Sequence, residues 1–110
     1  MNPAVYVMTF VGLAGTGGGC LYIGNGKIVG ADTGGARYHG TYTEQNGALN
    51  ANVRLTQATD GLLVTGVLAP KGTVIDLTAT LSANFHNGQP QQIMVAGNPV
   101  NATFEKVGDV

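Results

Sequence analysis

The sequence predicts an all-β protein: one antiparallel β-barrel of eight or nine strands, a meander over residues 1–110 with little or no helix. First, four turn dipeptides divide the chain, and they are Asn25-Gly26, Asn46-Gly47, Asp60-Gly61 and Asn87-Gly88. Such pairs favour tight hairpins because asparagine tolerates positive φ and glycine adopts it without strain. Second, apolar and polar residues alternate strictly from Ile75 to His86, the period of a strand with one buried face. Third, no stretch shows helical periodicity.

The strands can be placed in chain order from this alternation. They are expected at Ala4–Val11, Gly18–Ile23, Lys27–Ala31, Arg37–Glu44, Leu49–Thr56, Leu62–Leu68, Ile75–His86, Gln91–Ala96 and Val100–Lys106. The glycine-rich segment 15–19 is predicted to form a loop between the first two strands. Nine strands with tight turns fit a closed barrel or a two-sheet sandwich. We favour the barrel because closure removes exposed edges, and this chain has few charges to protect an edge.

Composition excludes several classes of protein. Charged residues make up only 10% of the chain and the formal net charge is −1, so a large basic surface for nucleic acid is not expected. The hydrophobic fraction of 44% argues against disorder, and a lone cysteine, Cys20, excludes a disulfide framework. The apolar segment near the start lacks preceding basic residues and is interpreted as a first strand, not an export signal. No run approaches the ~18 apolar residues of a membrane helix, so no membrane association is predicted and the expected location is the cytoplasm.

Catalytic chemistry is hard to find in this sequence. His39 and His86 fall on outward phases of their strands and are expected to be solvated, and Cys20 is interpreted as a small hydrophobic residue. The glycine cluster 15–19 matches neither the dinucleotide fingerprint nor the P-loop. The six acidic residues are scattered singly, without an obvious pair for acid–base work. We therefore predict no enzyme activity, no metal site and no cofactor.

The inward-facing positions are unusually small, which leaves two interpretations open. Glycine, alanine and valine could let a narrow barrel pack solidly, or they could leave a cavity for an apolar ligand. If the inward face of the fourth strand carries Tyr38, Gly40 and Tyr42, two large side chains there would be separated by a residue without a side chain. If a cavity exists, its candidate lining residues are Tyr38, Tyr42, Leu77, Leu81 and Phe85.

The first strand is apolar on both faces, although a barrel wall buries only one. Val5, Val7 and Val11 alternate with three residues that are equally apolar. We predict that the second face lies in a homodimer interface, with Tyr6, Met8 and Phe10 as its candidate residues.

Asp32 has a structural interpretation of its own. It follows a strand and precedes Thr33-Gly34-Gly35, so its carboxylate is placed to accept hydrogen bonds from backbone amides two or three residues further on. A binding role would require it to face the barrel mouth.

The segment Gly17–Gly40 carries a family resemblance. It combines a glycine-alternating second strand, the Asn25-Gly26 hairpin, the run Gly30-Ala31-Asp32 and the pattern Tyr38-x-Gly40. In these features the chain resembles the GrlR-like family of small negative regulators of type III secretion loci. The looser similarity extends to the closing segment Ala102-Thr103-Phe104-Glu105-Lys106.

The resemblance implies a cytoplasmic calycin-like barrel, often dimeric, that sequesters a transcriptional activator by protein–protein contact. The family uses alternating acidic residues in a loop after the Tyr-x-Gly strand, and the matching positions make Glu44 and Gln45 the candidate partner-binding residues. Only Glu44 is acidic here, and the following Asn46-Gly47 is typical of a plain hairpin turn. A single exposed carboxylate gives little long-range attraction to a basic partner.

Three functions are therefore considered, none of them enzymatic. The first is a regulatory protein that sequesters a transcriptional activator, as the resemblance implies. The second is a barrel that binds a small apolar molecule such as a lipid or fatty acid. The third is a structural or adhesive β-domain, favoured by an outer face rich in threonine and asparagine.

Overall fold

A computed structural model describes all 110 residues and contains ten strands and no helix. The strands are β1 (Ala4–Gly12), β2 (Gly15–Gly24), β3 (Lys27–Asp32), β4 (Ala36–Gln45), β5 (Ala48–Gln57), β6 (Gly61–Leu62), β7 (Leu68–Ala69), β8 (Val74–Ser82), β9 (Gln91–Val95) and β10 (Asn98–Asp109). All strand pairs are antiparallel. No helix long and apolar enough to cross a membrane is present.

Eight of the strands form one sheet that curls into a barrel about 35 Å long and 22 Å wide. Their order is β8-β5-β4-β3-β2-β1-β10-β9, so the ends of the sheet are β8 and β9. These two strands lie side by side but exchange no ladder hydrogen bonds, which leaves a seam in a nearly closed wall. The predicted all-β single barrel is confirmed.

Three two-residue turns show how the sequence shapes the wall. Asn25-Gly26 and Asn46-Gly47 have positive φ at both residues, as hairpin turns of this type require, and they connect β2 to β3 and β4 to β5 as predicted. The third such turn is Ala96-Gly97, between β9 and β10. It carries no sequence signal because alanine rarely adopts the left-handed conformation.

Two predicted hairpin dipeptides and three predicted segments differ from the structure. Asp60-Gly61 is not a hairpin turn, since the Asp60 carboxylate instead accepts the amide of Lys71 at 2.7 Å. Asn87-Gly88 lies in the loop before β9. The predicted strand 62–68 pairs only at its ends, as β6 and β7, and the predicted strand 75–86 stops at Ser82. The glycine segment 15–19 is part of β2, because glycine lets neighbouring backbones and rings approach closely.

The barrel interior has a solid end and an open end. At the solid end Phe85 is fully buried, with its ring centroid 5.1 Å from that of Tyr6 and 5.4 Å from that of Phe104. Ile23, Leu49 and Leu81 complete this aromatic and aliphatic packing within a continuous core of 15 buried residues. The other end of the barrel is where side chains do not fill the lumen.

Candidate functional site

A cavity of about 240 Å³ occupies the open end of the barrel. Sixteen of its 23 lining residues are hydrophobic, and they come from the wall strands and from the connection between β5 and β8. The one charged side chain on its surface is that of Asp32. An engineered apolar cavity of about 150 Å³ is large enough to bind benzene. This cavity therefore has room for a small, mainly apolar molecule.

Glycine in β2 helps to keep this end of the lumen open. The inward positions of β2 run Gly17, Gly19, Leu21 and Ile23, so large side chains face inward only in the second half of the strand. Phe10 of β1 lies opposite Gly17, and a Cβ atom at Gly17 would stand only 2.5 Å from the Phe10 ring. The aromatic ring thus lies over the bare backbone of its neighbour and lines the cavity.

Residues 58–73, here called the flap, fold across the open end. Leu62, Leu63, Val64 and Thr65 of the flap line the cavity. The Ala14 amide donates a hydrogen bond to the Val64 carbonyl at 2.7 Å, which ties the flap to the turn between β1 and β2. Gly12 permits this approach, since a Cβ atom there would stand 2.5 Å from the Val64 carbonyl oxygen. Leu62 both lines the cavity and is 59% exposed, which places the mouth at the flap.

A polar corner formed by Asp32 and Tyr38 interrupts the apolar lining. Asp32 Oδ1 accepts the amide of Gly34 at 2.9 Å, two residues further on as predicted, and also the amide of Ala36 at 3.0 Å, four residues further on, which was not predicted. Its other oxygen, Oδ2, accepts a hydrogen bond from the Tyr38 hydroxyl. Burial and this hydrogen bond raise the pKa of Tyr38 well above its usual value. Asp32 thus lines the cavity with a carboxylate that makes no salt bridge.

Gln57, at the end of β5, is a further polar residue of the cavity lining. The residue is 98% buried, and its Nε2 donates a hydrogen bond to the Gly34 carbonyl at 2.6 Å. The carbonyl oxygen Oε1 is buried without any hydrogen-bond partner. Leaving such an acceptor unpaired costs about 1–3 kcal/mol, and buried polar atoms are rarely left so. This acceptor is enclosed by the protein and is not open to the cavity.

The candidate cavity residues from the sequence divide between the two ends of the barrel. Tyr38 and Leu77 line the cavity. Leu81 and Phe85 are buried in the solid end, and Tyr42 is half-buried against that packing. The alternation assigned the inward phase correctly for Leu77 and Leu81. It could not indicate where along the lumen the packing would stop.

The prediction that Tyr6, Met8 and Phe10 form a dimer interface is wrong, because these side chains face the interior of the barrel. Tyr6 and Met8 are buried inside the barrel, and Phe10 lines the cavity. The outward face of β1 carries valines, with Val7 39% and Val11 48% exposed. The larger side chains face inward because they remove more apolar area from water. Whether the protein forms a homodimer stays a prediction.

The candidate partner-binding residues Glu44 and Gln45 do not line this cavity; they border a separate pocket of about 300 Å³ beside Leu49 and Phe85. They are exposed at the end of β4, beside the Asn46-Gly47 turn. The Glu44 carboxylate contacts the Met1 amino group, at 2.8 Å for Oε2. No second acidic side chain adjoins it in this turn.

The two histidines and the cysteine of the chain have different surroundings. His39 and Cys20 are exposed. The prediction of a solvated strand position is wrong for His86, because it lies in the turn after β8 and packs edge-on against Phe85, with ring centroids 5.2 Å apart. No three or more His, Cys, Asp or Glu side chains lie close enough together to hold a metal ion.

Sequence reasoning missed Gln57 and the flap. Gln57 continues the inward phase Ala51-Val53-Leu55 of β5, so a polar residue on a buried phase was the available signal. No protein-family model matches the chain, and no curated protein matches it either.

Proposed function

We propose that this protein binds a small, mainly apolar molecule in the cavity under the flap. The observation that carries the proposal is an apolar lumen of about 240 Å³ that side chains leave unfilled, with the hydrogen-bonded pair of Asp32 and Tyr38 as its polar corner. Binding sites commonly combine an apolar wall with a few convergent polar groups. The mouth adds an exposed apolar side chain of the flap, Leu62, which is 59% exposed and lines the cavity.

A binding experiment with a blocked cavity tests this function. The neutral fluorophore N-phenyl-1-naphthylamine is titrated into the protein, and its emission reports transfer into an apolar site. Leu77→Trp places a bulky ring into the lumen and should weaken binding at least tenfold. Val74→Trp, on the outward face of the same strand and 52% exposed, should leave binding unchanged. Equal binding by both variants, or no saturable binding by the wild type, would contradict the proposal.

The activator-sequestering function implied by the resemblance ranks second. Its candidate surface offers a single carboxylate, Glu44, with Gln45 beside it. We propose a pull-down with Glu44→Lys and the control Glu105→Lys, an exposed acidic residue on β10. Loss of a captured protein in the Glu44 variant alone would favour this function over ligand binding. A cytoplasmic location and a structural or adhesive role likewise stay hypotheses.

A further inference from the structure

Two glycines of β2 separate an aromatic ring from a carboxylate on the inward face of the barrel. Gly17 is paired with Phe10 of β1, and Gly19 is paired with Asp32 of β3. A Cβ atom at Gly17 would stand 2.5 Å from the Phe10 ring, and one at Gly19 would stand 2.9 Å from the Asp32 Cβ. Alternate residues of a strand lie about 6–7 Å apart on one face. The ring and the acidic side chain therefore flank the same short stretch of bare backbone.

The Asp32 carboxylate can accept a further hydrogen bond. Asp32 lies on the inward phase of β3, two positions after Gly30 and four after the buried Ile28, and it lines the cavity. A carboxylate offers about four acceptor positions. Three donors use them here, and they are the amides of Gly34 and Ala36 and the Tyr38 hydroxyl. Only the hydroxyl donates to Oδ2, so this oxygen keeps a position for a ligand donor.

The charge of the cavity is negative and has no partner inside it. Asp32 is the one charged lining residue, and it makes no salt bridge. Arg37 is exposed and directs its guanidinium at the Ala36 carbonyl, 3.4 Å away. The threonine hydroxyls of the lining can donate or accept, so they serve a ligand of either charge. Asp32 therefore sets the sign of the preference, because a cation gains a counter-charge there and an anion meets a like charge.

Resting on the proposed function, we propose that the cavity takes small organic cations, an ammonium group carrying an apolar tail, in preference to carboxylates of the same size. The ammonium group donates a hydrogen bond to Asp32 Oδ2 and lies beside the Phe10 ring, since an aromatic face attracts a cation within about 6 Å. The tail lies in the apolar lumen toward Leu77. This preference is opposite to that expected of a carrier of free fatty acids.

Three probes with the same number of non-hydrogen atoms isolate the effect of charge. They are the heptylammonium ion, 1-heptanol and hexanoate, and each is titrated into ¹⁵N-labelled protein at neutral pH and low ionic strength. The Gly34 and Ala36 amides, which donate to Asp32, are the reporters. We expect heptylammonium to bind about tenfold more tightly than heptanol, and hexanoate to bind most weakly, because a nearby carboxylate attracts one charge and repels the other.

Two variants assign the preference to its side chains. Asp32→Asn keeps the shape and removes the charge, so it should reduce the preference for heptylammonium over heptanol about tenfold. Phe10→Leu keeps the position apolar without an aromatic face and should reduce the same preference about threefold. The control Glu105→Gln neutralises an exposed carboxylate outside the cavity and should leave the preference unchanged. If Asp32→Asn does not fold, the order of the three probes in the wild type still decides.

The outcomes distinguish this inference from the function on which it rests. Equal affinities for heptylammonium and heptanol, or tightest binding of hexanoate, would overturn the charge preference and leave an apolar carrier. An unchanged preference in a folded Asp32→Asn variant would overturn it as well. If neither the three probes nor the naphthylamine bound, the inference and the proposed function would both be wrong.

Discussion

The Tyr38 hydroxyl donates a hydrogen bond to the Asp32 carboxylate across the turn that joins β3 to β4. Together with the Gly34 and Ala36 amides, it gives Asp32 three donors. A hydrogen bond to a charged acceptor is stronger than one between neutral groups. The pair therefore fixes the turn and sets the polarity of the cavity wall.

Removing this hydroxyl should destabilise the fold. We expect Tyr38→Phe to lower the free energy of unfolding by about 1–3 kcal/mol, because one oxygen of a partly buried carboxylate loses its donor. The measurement is urea unfolding near neutral pH. Tyr42→Phe is the matched control, since Tyr42 is half-buried and makes no hydrogen bond through its hydroxyl, and it should change little. Equal losses in the two variants would contradict the role of the pair.

The same tyrosine should make stability depend on alkaline pH. The pKa of Tyr38 is raised in the folded state by burial and by Asp32, whereas an unfolded tyrosine titrates near about 10. The unfolded state therefore releases its proton first, and this contribution to stability is complete below about pH 10 and declines above it. Between about pH 10 and 11 the wild type should lose about 1 kcal/mol more than Tyr38→Phe does. If the urea midpoints of the wild type and of Tyr38→Phe declined in parallel as the pH is raised from about 10 to 11, this effect would be excluded.

The Ala96-Gly97 turn holds an alanine at φ 49°. A non-glycine residue without a short polar side chain is strained there, so Ala96→Asn should raise the free energy of unfolding by about 0.5–1 kcal/mol. The reciprocal change Asn46→Ala, at φ 52° in the turn between β4 and β5, should lower it by a similar amount. Thermal unfolding of both variants gives the comparison. A destabilised Ala96→Asn would show that the turn is not strained by its alanine.

Adding one methyl group at position 12 should detach the flap from the turn between β1 and β2. Gly12→Ala places a Cβ atom 2.5 Å from the Val64 carbonyl oxygen, which must move and lose its hydrogen bond from Ala14. Hydrogen exchange of the Ala14 amide should then accelerate at least tenfold. Gly108→Ala, where no atom lies within 4 Å of the added carbon, is the control and should leave this amide unchanged.

The solid end of the barrel should carry much of the stability. Phe85→Ala removes a fully buried ring packed on three other aromatic side chains and should cost about 3–5 kcal/mol. Leu68→Ala, at a side chain 74% exposed, should cost under about 0.5 kcal/mol in the same denaturant experiment. A small loss for Phe85→Ala would mean that this end can repack.

The sequence was sufficient for the wall of the barrel but not for its interior. Alternation on β8 and β5 assigned Leu77 and Leu55 to the inside, and two Asn-Gly pairs located two hairpins. The alternation could not show which face of β1 points into the barrel. Apolar residues occupy both faces of this strand, and only their relative size separates Tyr6 from Val7. The flap resembled a strand in composition because Leu62 to Leu68 is apolar, yet it crosses the barrel end and pairs only with itself.

The cavity depends on contacts between residues of different strands, and the alternation of apolar and polar residues along one strand does not predict such contacts. Asp32 was expected to accept amide hydrogen bonds, and it does. That Tyr38 joins it, and that Gln57 reaches the Gly34 carbonyl 23 residues away in sequence, follows from the pairing of β4 with both neighbouring strands. Long-range register, not local sequence, brings these three groups together.

The seam between β8 and β9 gives the barrel a wall that can widen. Leu77 of β8 and Ile93 of β9 line the cavity on either side of it, and no ladder hydrogen bond joins the two strands. Sideways separation there breaks only side-chain contacts, whereas widening anywhere else would break backbone hydrogen bonds. Along this one line the width of the lumen is therefore held by side-chain contacts alone, so a molecule broader than the resting cavity would need to part only one pair of strands.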